Sequence, residues 1–361
     1  MLANDFRRRL IAVLSCPTAP FHEGRVHAVI RAAVRASPHL RDRVDAYGNL
    51  EVVYGPGRPK LLFTCHTDHP ALRANGDGTA LIVGGIRPPA LVRCGLTDFE
   101  GNRVATVSKV VRDDRPFATV KLRGGKRLKR GAPLLLDLPG VRLGGGKIRA
   151  PAVDDLCAVA ACLTMFDRLA AARWRGTVGV LFTRAEEVGF VGALGWTRTT
   201  RYPRATTLVN LEMSPALRHT PLGAGPILRV GDRMTTFRQG LAIELEAAAK
   251  ELAKKTKGFR YQRALMDGGA CEATAYTFAG FRAGALCLPL KNYHNHARGG
   301  GMGLEYVDQS DAGNLVRWMV AFARRIGKLD PRHDAESRLA KLWRMHAKRL
   351  ERTAAEGQGD A

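Results

Sequence analysis

The chain has 361 residues, which at roughly 150 residues per domain predicts about two domains and a sizeable core. With 45% hydrophobic and 25% charged residues, it is neither wholly disordered, collagen-like nor disulfide-stapled. A balance of 57 Lys plus Arg against 33 Asp plus Glu gives a net charge of +24, which attracts polyanions without naming a partner.

In chain order, Arg7–Arg9 followed by residues 10–14 imitates a very short signal peptide. The apolar part is below the roughly 7 residues such a peptide needs, so the segment reads as the first helix of the fold. Buried strands are predicted at 61–65, 178–183, 207–211 and 283–290, where aliphatic and β-branched residues run together between turn signals. The clearest helix is 155–172, in which Leu156, Val159, Ala160, Leu163, Phe166 and Leu169 recur at three- and four-residue steps behind a carboxylate suited to the N-cap. Further helices are expected at 238–256, 269–278 and 308–326. Strands alternating with helices predict an α/β fold, with a mostly parallel sheet and helices on both faces.

Residues 72–147 break this rhythm with short β-like pieces separated by Gly, Pro and Asp, which predicts a small antiparallel β-domain inserted into the α/β domain. The expected organisation is therefore 1–71 and 149–330 as one discontinuous catalytic domain, 72–148 as the insert, and 331–361 as a basic helical tail with a frayed end. Residues 121–149 hold nine basic residues against one acid, Asp137, and read as a solvated face rather than a polyanion groove. Seven scattered cysteines lack the spacing of a zinc ribbon or disulfide framework, so a reducing compartment, the cytoplasm, is expected. No apolar run reaches the 18 or so residues of a membrane-spanning helix, so no membrane partner is expected.

Sites in open α/β sheets form beyond the carboxyl ends of the strands. The first predicted strand ends at Cys65-His66-Thr67-Asp68, and the second leads into Arg184-Ala185-Glu186-Glu187-Val188-Gly189. The third ends at Asn210-Leu211-Glu212, the fourth precedes Asn292-Tyr293-His294-Asn295-His296, and Asp154-Asp155 precede the long helix. Imidazoles and carboxylates gathered on one sheet edge need a cation to offset their repulsion and desolvation. Two histidines with several carboxylates form a ligand set for zinc, manganese or cobalt, and surplus carboxylates favour two ions sharing one of them. A carboxylate-rich site keeps a water position open, which points to hydrolysis. Cys65 and Cys271 have no His-Asn partners and read as buried thiols, and Gly144-Gly145-Gly146-Lys147 lacks the frame of a phosphate loop.

These motifs resemble the dinuclear metallo-aminopeptidases that include the tetrahedral and glutamyl (deblocking) aminopeptidases, within the clan of zinc exopeptidases. The resemblance runs in order through Pro20-Phe21-His22-Glu23, residues 45–50, His66-Thr67-Asp68, the β-insert, Ala152-Val153-Asp154-Asp155, residues 186–193, residues 212–216 and the tyrosine-histidine element. It implies two divalent ions, with zinc expected and cobalt or manganese as alternatives. His66 would ligate one metal, with Asp68 behind it orienting the imidazole, and Asp154 would bridge the pair. Glu187 would ligate one ion and Glu212 the other, while His294 would complete the second ion's shell. Glu186 would be the general base that takes the proton of the attacking water and passes it to the leaving amine. Peptides trimmed from a free amino terminus are the implied substrates, and the insert is implied to mediate homo-oligomerisation and restrict access.

Three positions depart from the family pattern. Glu212 stands where the family has Asp, and Cys271-Glu272 stand in place of Thr-Asp. Tyr293 is followed directly by His294 and then by His296, whereas the family has one residue between tyrosine and histidine, so His296 remains open as the last ligand. Two other readings differ in substrate or class. One is a deacylase of N-acyl amino acids or related amides at the same site. The other is a non-catalytic, basic nucleic-acid-binding protein on a peptidase fold, which predicts salt-sensitive binding and no metal.

Overall fold

The structure is a computed structural model that describes residues 2–114, 116–326 and 332–356. Its frame is an eight-stranded sheet in the order Leu40–Val44, Leu50–Tyr54, Val178–Thr183, Leu61–His66, Thr207–Pro215, Arg282–Leu290, Ile227–Asp232 and Gln262–Met266. The four strands from Val178–Thr183 to Arg282–Leu290 run parallel to one another, and Gln262–Met266 runs parallel to Ile227–Asp232. The remaining pairings are antiparallel. All four strands expected from composition are present, and every residue of Leu61–His66 and Val178–Thr183 is buried.

Alternation along each strand feeds two apolar layers. Leu61, Phe63 and Cys65 face a core shared with the helices Asn4–Leu14, Gly24–Arg35, Leu156–Ala171, Gln239–Lys255 and Gln309–Ala323. Leu62 points the other way, with Leu181 and Leu208, onto Trp196, Tyr276 and Phe281 beside the helices Val191–Thr199 and Glu272–Phe278. The central helix Leu156–Ala171 buries both apolar and small residues on nearly all sides. Each buried Leu, Val or Phe contributes about 1.5–3 kcal/mol, so packing holds this helix. Asp155 occupies its N-cap position, but its side chain makes no capping hydrogen bond. The sequence-based expectation that this carboxylate serves as a cap therefore fails, and Asp155 is instead drawn into the neighbourhood of the site. Asp308 does cap the helix Gln309–Ala323, accepting from the Ser310 amide at 2.8 Å.

The expected β-insert is a closed barrel of six antiparallel strands, in the order Ala71–Ala74, Thr79–Val83, Thr119–Arg123, Arg103–Arg112, Gly95–Thr97 and Pro133–Leu136. Its own core contains Leu72, Ala80, Ile82, Leu96, Val107, Val120, Leu122 and Leu134. A small antiparallel sheet of Arg142–Gly144, Lys147–Ala150 and Glu305–Asp308 leads the chain back toward the larger sheet, with Ala150 opposite Glu305. A last helix, Arg332–Glu356, has exposed side chains over residues 338–354 apart from half-buried Ala347. The end of the expected frayed tail, residues 357–361, lies outside the described residues. No described helix is long and apolar enough to cross a membrane.

Candidate metal centre

The parallel strands deliver their carboxyl ends to one rim, and the acidic and imidazole side chains meet there. His66 ends its strand and is buried, with Nε2 3.2 Å from Asp154 Oδ1 and 3.9 Å from Glu212 Oε1. On the other side of the same carboxylate, His294 Nε2 lies 3.9 Å from Asp154 Oδ2 and 3.2 Å from Glu187 Oε2. Asp154 thus turns one oxygen toward His66 and Glu212 and the other toward His294 and Glu187. They form two candidate half-sites on either side of one carboxylate. His66, Asp154 and Glu187 each offer a ligand atom within 4.8 Å of the others.

The donor set fits divalent cations on a further observation. His294 Nε2 and Glu187 Oε1 are buried without a hydrogen-bond partner, although the imidazole and Glu187 lie side by side. Buried polar atoms left without partners beside one another suit coordination to an ion. Burial pushes Glu186 well above the usual carboxylate range, with Glu212, Glu187 and Glu272 adding to it, and it lifts Glu212 to about 8. Burial opposes charge on His294, but Glu187 and Asp154 raise the imidazole to about 9. A buried cluster that must otherwise take up protons is relieved by cations.

Asp68 acts mainly on the backbone. Its carboxylate oxygens accept from the amides of Glu186 at 3.0 Å and Glu187 at 3.1 Å, while His66 Nδ1 is 3.1 Å from the Asp68 carbonyl and 3.6 Å from the carboxylate. The imidazole thus meets both the main chain and the carboxylate of Asp68, and that carboxylate also holds the amides of the two glutamates. Ala185 before them and Phe190 after them have positive φ, 52° and 61°, a strained turn that aims neighbouring glutamates differently. Glu23, fully buried, secures that turn by accepting from the Ala185 amide at 3.0 Å and Arg184 Nε at 2.7 Å.

The backbone shapes the tyrosine-histidine element. Asn292, His294 and Asn295 all adopt positive φ, 57°, 51° and 63°, and this tight turn swings His294 onto Asp154 without an intervening residue. His296 turns away: its Nε2 accepts from the Arg87 amide at 3.0 Å and its Nδ1 donates to the Tyr293 carbonyl at 2.9 Å. The Tyr293 ring stacks on His294 with centroids 3.9 Å apart. Glu212, one methylene longer than aspartate, is steadied by the Met213 amide at 2.9 Å. Asp154 and Asp155 are joined by a cis peptide bond.

Two supporting residues escape the motif reading. His69 donates from Nδ1 to the Asp154 carbonyl at 2.8 Å and contacts Asn295 Oδ1 through Nε2 at 2.9 Å. Its only signal was its place directly after His66-Thr67-Asp68. Glu305 accepts from the amides of Asp154 and His294 and lies in no motif. The site opens into a cavity of about 790 Å³ whose lining includes Phe21, Ile82, Gly85, Glu186, Phe190 and His294, so the barrel supplies one wall. That volume suits a peptide-sized ligand.

Residues 126–299 match the family model of the M42 glutamyl aminopeptidases, a span that contains Asp154, Glu186, Glu187, Glu212 and His294 and begins after His66 and Asp68. No curated protein matches the chain. Among solved structures, the TET1 peptidase of Pyrococcus horikoshii, described as assembling into a tetrahedron or a large octahedral shell, is similar at 21% identity and TM-score 0.71, covering 88% of this chain and 99% of its own. A TET aminopeptidase from Thaumarchaeota archaeon SCGC AB-539-E09 is similar at 19% identity and TM-score 0.75, covering 90% and 98%. An aminopeptidase of Desulfurococcus kamchatkensis gives 18% identity and TM-score 0.72, covering 89% and 94%. At such identities the likeness to these structures is one of fold. The motifs, the match over residues 126–299 and the shared fold together make this chain similar to the M42 glutamyl aminopeptidases.

Proposed function

We propose that the chain is a metal-dependent aminopeptidase that removes residues from the amino terminus of peptides. The observation that carries this reading is the division of Asp154, with one oxygen toward His66 and Glu212 and the other toward His294 and Glu187. In this reading His66 and Glu212 hold one divalent cation, Glu187 and His294 hold another, and Asp154 lies between them. Bound there, the cations supply Lewis-acid polarisation of the scissile carbonyl and activation of a water.

The remaining steps belong to the chain's own carboxylates. Glu186 lines the same cavity as the ligand set but is assigned to neither half-site. From there it takes a proton from the attacking water and returns it to the departing amine. Asp68 keeps Glu186 on station by accepting a hydrogen bond from its backbone amide at 3.0 Å. Barrel residues close the cavity on one side and limit which chain ends enter. Zinc is the expected metal, with cobalt or manganese as alternatives. The seven free thiols support a reducing compartment, the cytoplasm. Because the Pyrococcus horikoshii peptidase is described as forming closed shells, homo-oligomerisation is part of the proposal. A deacylase reading would use the same site, and nothing in the geometry favours it; a nucleic-acid-binding reading draws support only from the net charge.

The test is an assay of the metal-loaded protein against aminoacyl-p-nitroanilides and N-acyl amino acids, with Glu186→Gln as the control. Turnover of the anilides alone is expected. The variant is expected to keep its metal while kcat falls about 10²–10⁴-fold, the range for a lost general base. Cleavage confined to acyl-amino acids, or full activity in Glu186→Gln, would contradict the proposal.

A further inference from the structure

Glu305 lies outside every motif that drew attention to the site, yet it is wholly buried and aimed at it. Its Oε2 accepts from the Asp154 amide at 2.9 Å and its Oε1 from the His294 amide at 2.8 Å. The two bonds cross the chain by 151 and 11 residues. One carboxylate therefore fixes the main chain of the residue shared by both half-sites and of a residue that serves only one. Register makes the meeting local. Ala150 pairs with Glu305 across the small sheet, so the segment running on to Asp154 and the segment running back from His294 enter side by side.

The chemistry calls for a carboxylate here. Two amide donors need two acceptor oxygens, and each bond to a charged acceptor offsets part of the cost of burying it. Glutamine offers one oxygen, and its amide nitrogen would face an N–H. The remaining ligands do not depend on this contact: His66 and Glu212 are carried by the adjacent strands Leu61–His66 and Thr207–Pro215. The His294 side has no strand of its own and rests on a turn with three positive φ values.

We propose that Glu305 is a positioning residue that sets Asp154 and His294 for the half-site completed by Glu187, and so couples the two cation positions. The proposal rests on the two-cation reading. It makes the half-sites unequal in their dependence on Glu305, because the second loses the placement of two ligands and the first of one.

The test is a titration of the metal-free, full-length protein with Co²⁺ alone, reading bound cobalt after equilibrium dialysis and the visible d–d absorption. It is run on wild type, Glu305→Gln and Glu305→Asp, with the melting temperature of each metal-free form measured alongside. Wild type is expected to take two cobalt ions. In Glu305→Gln the affinity for one is expected to fall about 10–100-fold, the range for losing a residue that orients ligands, while the other changes far less. Aspartate keeps the charge but is one methylene too short to reach both amides, so Glu305→Asp should reproduce the split if Glu305→Gln does not fold. A lowered melting temperature with both cobalt affinities intact would overturn the assignment and leave a purely structural role. Equal weakening of both sites would also overturn it. Failure of wild type to bind cobalt would overturn the two-cation reading itself.

Discussion

His27 shows how a single side chain near the site carries a measurable pH signature without touching a candidate ligand. It lies on the helix Gly24–Arg35 with Nε2 3.1 Å from Thr67 Oγ1. Burial, reinforced by the charges of Arg184 and Arg31, pushes its imidazole down to about 4. The folded protein therefore holds it neutral where an unfolded chain, titrating near 6.5, would bind a proton. Its contribution to stability is present above about pH 6.5 and is lost as the pH falls toward 4. At about 1.4 kcal/mol per pH unit, reduced for its partial exposure, the loss amounts to roughly 2 kcal/mol. Urea unfolding at pH 7.5 and 4.5 should therefore show a gap in stability that is about 2 kcal/mol narrower in His27→Gln than in wild type. An unchanged gap would remove His27 from the account. The same scale marks what was legible and what was not. His66, Asp154, Glu186, Glu187 and His294 stand at or next to strand or helix ends, and Glu212 within the strand Thr207–Pro215, all in recognisable groups, so their residue types pointed to a metal site. Glu305 acts by accepting from the main-chain amides of Asp154 and His294, and such bonds leave no motif.

Among the elements, the barrel and the metal rim meet at one glycine. A Cβ at Gly85, in the segment after the barrel strand Thr79–Val83, would collide with Nδ1 and Cε1 of the His294 imidazole. The ring cannot retreat easily, since Tyr293 stacks on it and its backbone is held by Glu305. Gly85→Ala is accordingly expected to displace His294 and weaken the cation held with Glu187 by at least about tenfold, read as bound metal per chain after dialysis. Two ions held as tightly as in wild type would contradict that contact. The elements legible in the sequence were those buried on both faces. The edge strand Leu40–Val44, LRDRV, is almost wholly exposed, and Gln262–Met266 alternates between half-buried and exposed residues before ending on buried Met266, so neither offered a continuous apolar run. Ile227–Asp232 hid behind Arg229, which is buried in mid-strand and donates from its terminal nitrogens to Ser214 Oγ and the Gly269 carbonyl. The helix Val191–Thr199 contains Gly192 and Gly195, poor helix formers. A Cβ at those positions would meet the Arg184 backbone and the Tyr47 ring, so close packing outweighs propensity there.

For the whole molecule, a mostly parallel sheet brings residues far apart in sequence to one rim, and a barrel encloses the space above it. Both layers were readable in outline because each has its own pattern, continuous apolar runs for the sheet and short turn-bounded strands for the barrel. The net charge of +24 remains a bulk property that the site does not use. The central claim is that this rim grips two divalent cations across Asp154. Crystals soaked in zinc and measured for anomalous scattering at the zinc edge test it most directly. Two peaks flanking the Asp154 carboxylate are predicted, one beside His66 and Glu212 and the other beside Glu187 and His294. No zinc at Asp154, or zinc bound only elsewhere, would contradict the account.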